Sequence, residues 1–240
     1  MYTKKERLYE GKAKIIYATN DPGVVIAEFK DSATAFNGEK KGTIDKKGYY
    51  NSQISAIVFK HLSEMGIATH FVETLSDNEI AMKKLRMFPI EVVVRNVVAG
   101  SLAKRYNQPE GKVLPRALVE YYLKDDSLND PLMNADHIQL FDLAQKKELD
   151  DIYALALKIN AVMKNLFKSI NIELVDFKLE FGADKDGNIV LGDEISPDNC
   201  RLWDSSTGQK LDKDRFRFNL GNVEEAYEEI LNRLKKHHGV

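Results

Sequence analysis

A single cysteine, Cys200, cannot form an internal disulfide and has no second thiol at metal-ligand spacing, so nothing points to an oxidising compartment or a zinc centre. Long apolar runs are missing as well. No window approaches about 18 consecutive apolar residues, and Met1-Tyr-Thr-Lys-Lys-Glu-Arg7 runs straight into charge, so neither a membrane span nor a signal-peptide core is expected. A cytoplasmic protein with no membrane partner is the expectation. Charge of one sign is scarce: 35 Lys and Arg face 37 Asp and Glu, leaving a formal net charge of −2 and a pI of about 6.2. The basic face of a nucleic-acid protein is absent, and the lysine pairs Lys40-Lys41, Lys46-Lys47, Lys83-Lys84 and Lys235-Lys236 are only local, so no nucleic-acid partner is expected. The five histidines, His61, His70, His137, His237 and His238, fall at no convincing ligand spacing, and each reads as structural. The Gly-x-x-x-x-Gly-Lys-Ser/Thr signature is also missing, which excludes a P-loop.

What is present is an ordinary globular composition, 43% hydrophobic and 30% charged over 240 residues. A chain of this size buries about 70% of its unfolded surface, enough for a full core without a disulfide or metal staple. The pattern predicts an α+β fold with two lobes. In the N-terminal part, Ala13–Ala18 and Val24–Phe29 are β-branched runs separated by Asn20-Asp-Pro-Gly23, a turn cluster that predicts a hairpin. A second hairpin is predicted from His70–Leu75 and Glu79–Leu85. Between them Ile54, Ile57, Val58, Leu62 and Met65 recur at helical spacing, with Gly66 at the position of a left-handed C-cap.

Beyond Met87-Phe-Pro89, Ile90–Val98 predicts a buried strand, Gly100–Arg105 a turn entering a short helix, and Leu118–Lys124 another strand. One or two core helices are predicted over 142–170 from a continuous apolar stripe that includes Leu149, Ile152, Ile159, Met163 and Phe167. Strands at Glu173–Phe181 and Asn188–Ile195 flank Asp184-Lys-Asp-Gly187, and a terminal amphipathic helix begins near Val223. The expected division is a β-rich lobe over 1–87 and an α+β lobe over 88–240, with Met82–Pro89 crossing a cleft.

Three constellations could carry chemistry. Tyr9-Glu-Gly-Lys-Ala-Lys14 is a turn whose N–H groups and ammonium charges could gather round phosphate oxygens, although alone it is an ordinary surface turn. Asp176, Lys178 and Glu180 share one face of a strand, and an antiparallel neighbour can bring Asp193 beside Glu180. Two such carboxylates repel unless a cation lies between them, a requirement that Mg²⁺ with nucleotide phosphates meets. The same spacing also describes a solvated sheet face with Lys178 paired to its neighbours. Thirdly, Arg95 leaves a buried strand, Ser101 sits at a helix start, and Arg201 follows a turn: either anion clamps or structural ion pairs.

In order along the chain stand Glu10-Gly-Lys-Ala-Lys14, Pro89-Ile-Glu-Val-Val-Val-Arg-Asn96 with Ala99-Gly-Ser101 and Lys104-Arg105, and Leu174-Val-Asp-Phe-Lys-Leu-Glu-Phe-Gly182. They are followed by Gly192-Asp-Glu-Ile-Ser-Pro-Asp198, Arg201-Leu-Trp-Asp204 and Asp212-Lys-Asp-Arg-Phe-Arg217. Together these closely resemble the SAICAR synthetase family over essentially the whole chain.

The resemblance implies a two-lobe nucleotide cleft akin to ATP-grasp and kinase folds. It implies a ligase that joins the carboxylate of carboxyaminoimidazole ribotide (CAIR) to the amine of L-aspartate, with ATP as cosubstrate and Mg²⁺ as cofactor. Gly11, Lys12, Ala13 and Lys14 would meet the phosphates, and Met82, Lys83, Leu85 and Met87 the adenine. Glu180 and Asp193 would bind the metal. Arg95, Ser101 and Arg201 would hold the ribotide, Lys178 would stabilise charge on the activated carboxylate beside Asp176, and Asp198, Lys213 and Arg215 would serve the aspartate side. Asn37 stands where many members of the family carry an Asp, so no role of that carboxylate is carried over. Members are often oligomeric, and a homodimer is expected. The competing readings are a small-molecule kinase using the same cleft and a nucleotide-binding module without turnover.

Overall fold

The chain begins with a strand that its sequence conceals. In the computed structural model, which describes residues 1–35 and 38–239, β1 (Lys4–Glu10) is exposed along its whole length and carries no apolar alternation. It forms by antiparallel pairing with β2 (Lys14–Thr19), and Lys4 reaches across to Glu79 at 2.6 Å. A charged, lysine-bearing edge of this kind discourages pairing with another chain. β2 and β3 (Val24–Phe29) make the expected hairpin; the Asp21 carboxylate accepts from Gly23 N–H at 2.8 Å inside the turn.

A small two-stranded sheet, β4 (Ser32–Ala35) with β5 (Lys40–Thr43), leads to α1 (Lys47–Glu64), which ends before Gly66 at φ +72°. The second expected hairpin, β6 (Phe71–Thr74) with β7 (Glu79–Lys83), completes a five-stranded antiparallel sheet in the order β1-β2-β3-β7-β6. Asn37 lies outside the described residues.

Only Lys84 and Leu85 separate β7 from β8 (Arg86–Val97). The buried strand therefore starts four residues before Ile90, with Met87 already paired to Gly182 and Pro89 inside the strand. Gly100 at φ +54° opens α2 (Gly100–Tyr106), followed by β9 (Val113–Leu123) and β10 (Leu132–Met133). The short α3 (Ala135–Leu140), which the sequence reading left unassigned, is fixed by a reciprocal cap between Asn134 and His137. That cap gives His137 its structural task.

The apolar stripe beyond it forms one helix, α4 (Lys146–Ser169), with Gln145 and Glu148 as a second reciprocal cap. β11 (Ile172–Ala183) and β12 (Ile189–Leu191) turn at Gly187, φ +83°, as the composition predicts. β13 (Cys200–Asp204), another unassigned element, pairs with β11, and α5 (Asp214–Arg217) and α6 (Val223–His238) close the chain. The second sheet runs β10-β9-β8-β11-β12, with β13 also on β11.

Helix α1 joins the two sheets. Its Ile54, Val58, Phe59 and Leu62 pack into the large core with Ile159 of α4 and Ile230 of α6, whereas Ala56 packs with Val25, Phe29, Ile80 and Met82 under the first sheet. Among the described residues no helix is long and apolar enough to cross a membrane.

Candidate active site

Between the sheets lies a cavity of about 640 Å³ lined by Gly11, Lys12, Ala13 and Lys14 at one end and by Met82, Lys83, Leu85 and Met87 at the other. Both candidate nucleotide segments thus face one space. The β1–β2 turn is closed by Gly11 N–H donating to the Lys14 carbonyl at 2.8 Å. Lys12 extends to Asp126 at 2.6 Å, across the cleft. Gly182 lets β11 approach the crossing closely: a Cβ there would lie 2.6 Å from Leu85 Cβ.

The acidic strand behaves as its alternation predicts, and the register explains why a lysine must be in it. β11 pairs with β8 so that Glu180 stands opposite Glu91, a like-charge pair that is destabilising in isolation. Lys178 resolves it by donating to Glu91 at 2.7 Å and to Glu180 at 2.8 Å, while Lys124 donates to the other Glu180 oxygen. Gly192 N–H donates to the Glu180 carbonyl at 2.9 Å, and Asp193, at φ +60°, comes to 3.9 Å from the Lys178 ammonium. Lys14 pairs with Asp193 and lies 3.2 Å from Glu194.

Burial disfavours the Lys178 charge, but Glu180, Asp193 and Glu91 outweigh it and hold the pKa well above the usual lysine value. For Asp193, burial is likewise outweighed by Lys14 and Lys178, and the carboxyl is held below its ordinary range. Burial dominates at Glu91, whose pKa is raised.

A second, smaller cavity of about 270 Å³ opens on the other side of Lys178, lined by Arg95, Asp176, Asp198, Arg201 and Arg217 among others. Asp176 does not share a cation with Glu180, despite lying on the same strand face. It instead accepts from Arg95 at 2.9 Å and from Arg201 at 2.9 and 3.1 Å, because β8 and β13 place these arginines opposite it from either side. Arg95 also donates to Glu120 at 2.6 Å and to the Ser101 hydroxyl at 2.9 Å. A Cβ on Gly100 would stand 2.4 Å from the Arg201 guanidinium, so the glycine lets that fork lie against the start of α2.

Asp198 accepts from Lys47 at 3.0 Å, Lys213 at 3.2 Å and Tyr227 Oη at 2.8 Å. Arg215 does not face this cavity: it donates to the carbonyls of Gly221 at 2.7 Å and Lys210 at 3.0 Å, while Arg217, two residues on, lines the wall.

Sequence reasoning missed Glu91, Lys124, Glu194 and His70 in the first cavity and Arg217 in the second. Glu91 carried a usable signal, a lone acid inside the apolar run Ile90–Val94. His70 lines the cleft as well, although it is 4% exposed and packs its ring against Phe59.

A family model described as SAICAR synthetase matches residues 7–234. The phosphoribosylaminoimidazole-succinocarboxamide synthase of Lysinibacillus sphaericus is 55% identical over 232 residues, covering 97% of this chain and 98% of that protein. The crystal structure of the enzyme of that name from Ehrlichia chaffeensis is 48% identical, covers 96% of this chain and 98% of its own, and superposes with a TM-score of 0.94. A SAICAR synthetase solved in complex with ADP is 51% identical over 95% of this chain and 97% of its own, with a TM-score of 0.92. With the match spanning both cavities and the two sheets that build them, the chain belongs to the SAICAR synthetase family of ATP-dependent ligases of purine biosynthesis.

Proposed function

We propose that this chain condenses CAIR with L-aspartate at the expense of ATP, giving SAICAR, ADP and phosphate. The observation that carries the reading is Lys178, which lines both cavities. A nucleotide in the first cavity would present its γ-phosphate toward Lys178, and a ribotide gripped by the arginines of the second would present its carboxylate to the same ammonium. The ADP bound by the similar SAICAR synthetase supports the first assignment.

A carboxylate is inert toward amines at neutral pH, and the reaction divides accordingly. A carboxylate oxygen of CAIR attacks the γ-phosphorus, the bond to the β-phosphate bridging oxygen breaks, and ADP leaves with an acyl phosphate formed. The aspartate nitrogen then attacks the acyl carbon, phosphate departs with its bonding pair, and the amine releases its proton. Such transfer needs alignment and charge neutralisation instead of a protein nucleophile. Lys178 supplies a positive charge at the junction, where Glu180, Asp193 and Glu91 raise its pKa well above the usual lysine value. Lys12 and Lys14 would hold phosphate oxygens. Arg95, with Ser101, and Arg201 would grip the ribotide, with Asp176 orienting both guanidiniums. Asp198 and Lys213 are assigned to the aspartate side.

Mg²⁺ fits this site by its donor set. Glu180 and Asp193 already share one cation, the Lys178 ammonium, at 2.8 and 3.9 Å. Two hard carboxylates with phosphate and water completing the shell is the usual protein contribution to a nucleotide-bound magnesium. Bound there, the ion would neutralise phosphate charge. In this assignment residues 1–87 form the nucleotide lobe and 88–240 carry the metal, CAIR and aspartate sites, in a cytoplasmic homodimer.

ADP release with ATP, Mg²⁺ and CAIR, with and without L-aspartate, tests the reading. Aspartate-dependent ADP formation matched by a succinocarboxamide product, and abolished in Glu180→Ala, is the expected result. Equal ADP without aspartate would replace the ligase with a kinase or an uncoupled ATPase.

A further inference from the structure

The two buried arginines of the smaller cavity stand in a chain of alternating charge, Glu120–Arg95–Asp176–Arg201–Asp214, in which Asp176 is shared and each guanidinium has an outer carboxylate of its own. On the Arg201 side that carboxylate is Asp214, at 3.0 Å. On the Arg95 side it is Glu120, which is 7% exposed and does not line the cavity. The register brings it there. Arg95 pairs with Leu118, and the two-residue period of β9 puts Glu120 and Tyr122 on the same face, with Glu120 a diagonal step from Arg95. None of the roles assigned above uses Glu120 or Tyr122.

Hydrogen bonds account for the Arg95 guanidinium almost completely. Nε donates to Glu120 at 2.6 Å, Nη1 to Asp176 at 2.9 Å, and Nη2 to Ser101 Oγ at 2.9 Å and to Tyr122 Oη at 3.2 Å. A single N–H, on Nη1, is left over among these contacts. Tyr122 Oη donates to Glu120 at 2.9 Å and accepts from Arg105 at 2.6 Å as well as from Arg95, so its proton and both lone pairs are taken. Arg105, from α2, also donates to the second Glu120 oxygen. Burial disfavours the Glu120 charge, but Arg95, Tyr122 and Arg105 outweigh it and hold the carboxyl below its ordinary range. Ser101, one helical turn before Arg105, receives Arg95 on its oxygen, which leaves its proton to donate elsewhere.

Without the Glu120 charge, Arg95 and Arg201 would both lean on Asp176, whose oxygens already take Arg201 at 2.9 and 3.1 Å. Two like charges would then share one counter-charge, and Arg95 would lose the partner that holds its Nε edge. We infer that Glu120 and Tyr122 are positioning residues for substrate binding: they fix the plane of the Arg95 guanidinium so that its remaining N–H and the Ser101 hydroxyl are presented together to one anionic group of the ribotide. The inference rests on the smaller cavity being the ribotide site. Steady-state KM for CAIR, kcat and the calorimetric Kd for ADP are measured for the wild type, Glu120→Gln and Tyr122→Phe.

Glu120→Gln keeps the shape and one acceptor but loses the charge, and its KM for CAIR should rise about tenfold. Tyr122→Phe removes one bond from each of the two guanidiniums, and its KM should rise about threefold. In both variants kcat should hold within about twofold and the Kd for ADP should not move, a split that loss of packing alone does not produce. An unchanged KM for CAIR in either variant overturns the assignment of that residue, and a parallel loss of CAIR and ADP affinity overturns it for both. If the wild type shows no saturation with CAIR, the ribotide reading of the cavity falls instead. Should Glu120→Gln fail to fold, Tyr122→Phe, which leaves every charge in place, carries the same comparison.

Discussion

The two cavities meet at Lys178 but are built from different materials. Around the larger one, the carboxylates of Glu91, Asp126, Asp130, Glu180, Asp193 and Glu194 face the ammoniums of Lys12, Lys14, Lys83, Lys84, Lys124 and Lys178, six against six. Around the smaller one, the guanidiniums of Arg95, Arg201 and Arg217 and the shared Lys178 face the carboxylates of Asp176 and Asp198, an excess of two positive charges. The first set is balanced, and the second calls for an anion. The cation types differ as well. Lysines are compact point charges that can yield a carboxylate to an incoming metal, whereas arginines present rigid forks that match phosphate and carboxylate geometry. On the function proposed above, the half assigned to a magnesium nucleotide and the half assigned to a ribotide phosphate are distinguished by charge balance and by the choice between Lys and Arg.

The largest effect should come from removing the residue that both halves share. Lys178→Met is expected to lower kcat by on the order of a thousandfold, as removal of a preorganised charge does, while shifting the Kd for ADP by less than about fivefold. Single-turnover ADP formation beside calorimetry would check this, and a large loss of ADP affinity would put Lys178 inside the nucleotide site alone.

Arg201→Lys sharpens the contrast, since charge is kept and the fork is lost. KM for the ribotide should rise about a hundredfold with nucleotide affinity unchanged. Asp193→Asn attacks the half assigned to the nucleotide, and the Mg²⁺ concentration for half-maximal rate should increase about tenfold while ribotide KM holds steady. Metal titrations at saturating ribotide distinguish the two variants.

The smallest effect concerns stability. Burial and the neighbouring Asp214 raise the Asp212 carboxyl to a pKa of about 7, above its unfolded value, so the folded state holds its proton more tightly. The contribution is therefore complete below about pH 4 and is lost as pH rises through about 7. Scanning calorimetry should show Tm falling by a few degrees between about pH 5 and pH 8, and the slope should flatten in Asp212→Asn.

How much of this was legible in the sequence follows from how locally each feature is encoded. The Asn20–Gly23 hairpin, the α4 stripe and the β11 alternation repeat within a few residues, and all three appear as expected. β1 does not, because a strand exposed on both faces has no apolar period to display. β13 and α5 are too short for any period to establish itself. Within the site, spacing places Asp176, Lys178 and Glu180 on one face but cannot divide them between two cavities, since the division depends on which arginines β8 and β13 bring opposite Asp176. Lys124 joins Glu180 across 56 positions of chain and Lys14 joins Asp193 across 179, separations over which local pattern carries nothing. That His70 borders the cleft is equally invisible in the sequence, because the space beside it is formed by distant elements.

Helix α1, with Ala56 under the first sheet and Ile54, Val58 and Leu62 in the large core, has a consequence for how the molecule can be taken apart. A chain opened between Lys84 and Leu85 would yield an N-terminal piece whose central helix has lost α4 and α6, and a C-terminal piece whose core lacks a wall. Neither half holds a complete apolar interior, so the two fragments should be soluble and ordered only as a reassociated pair.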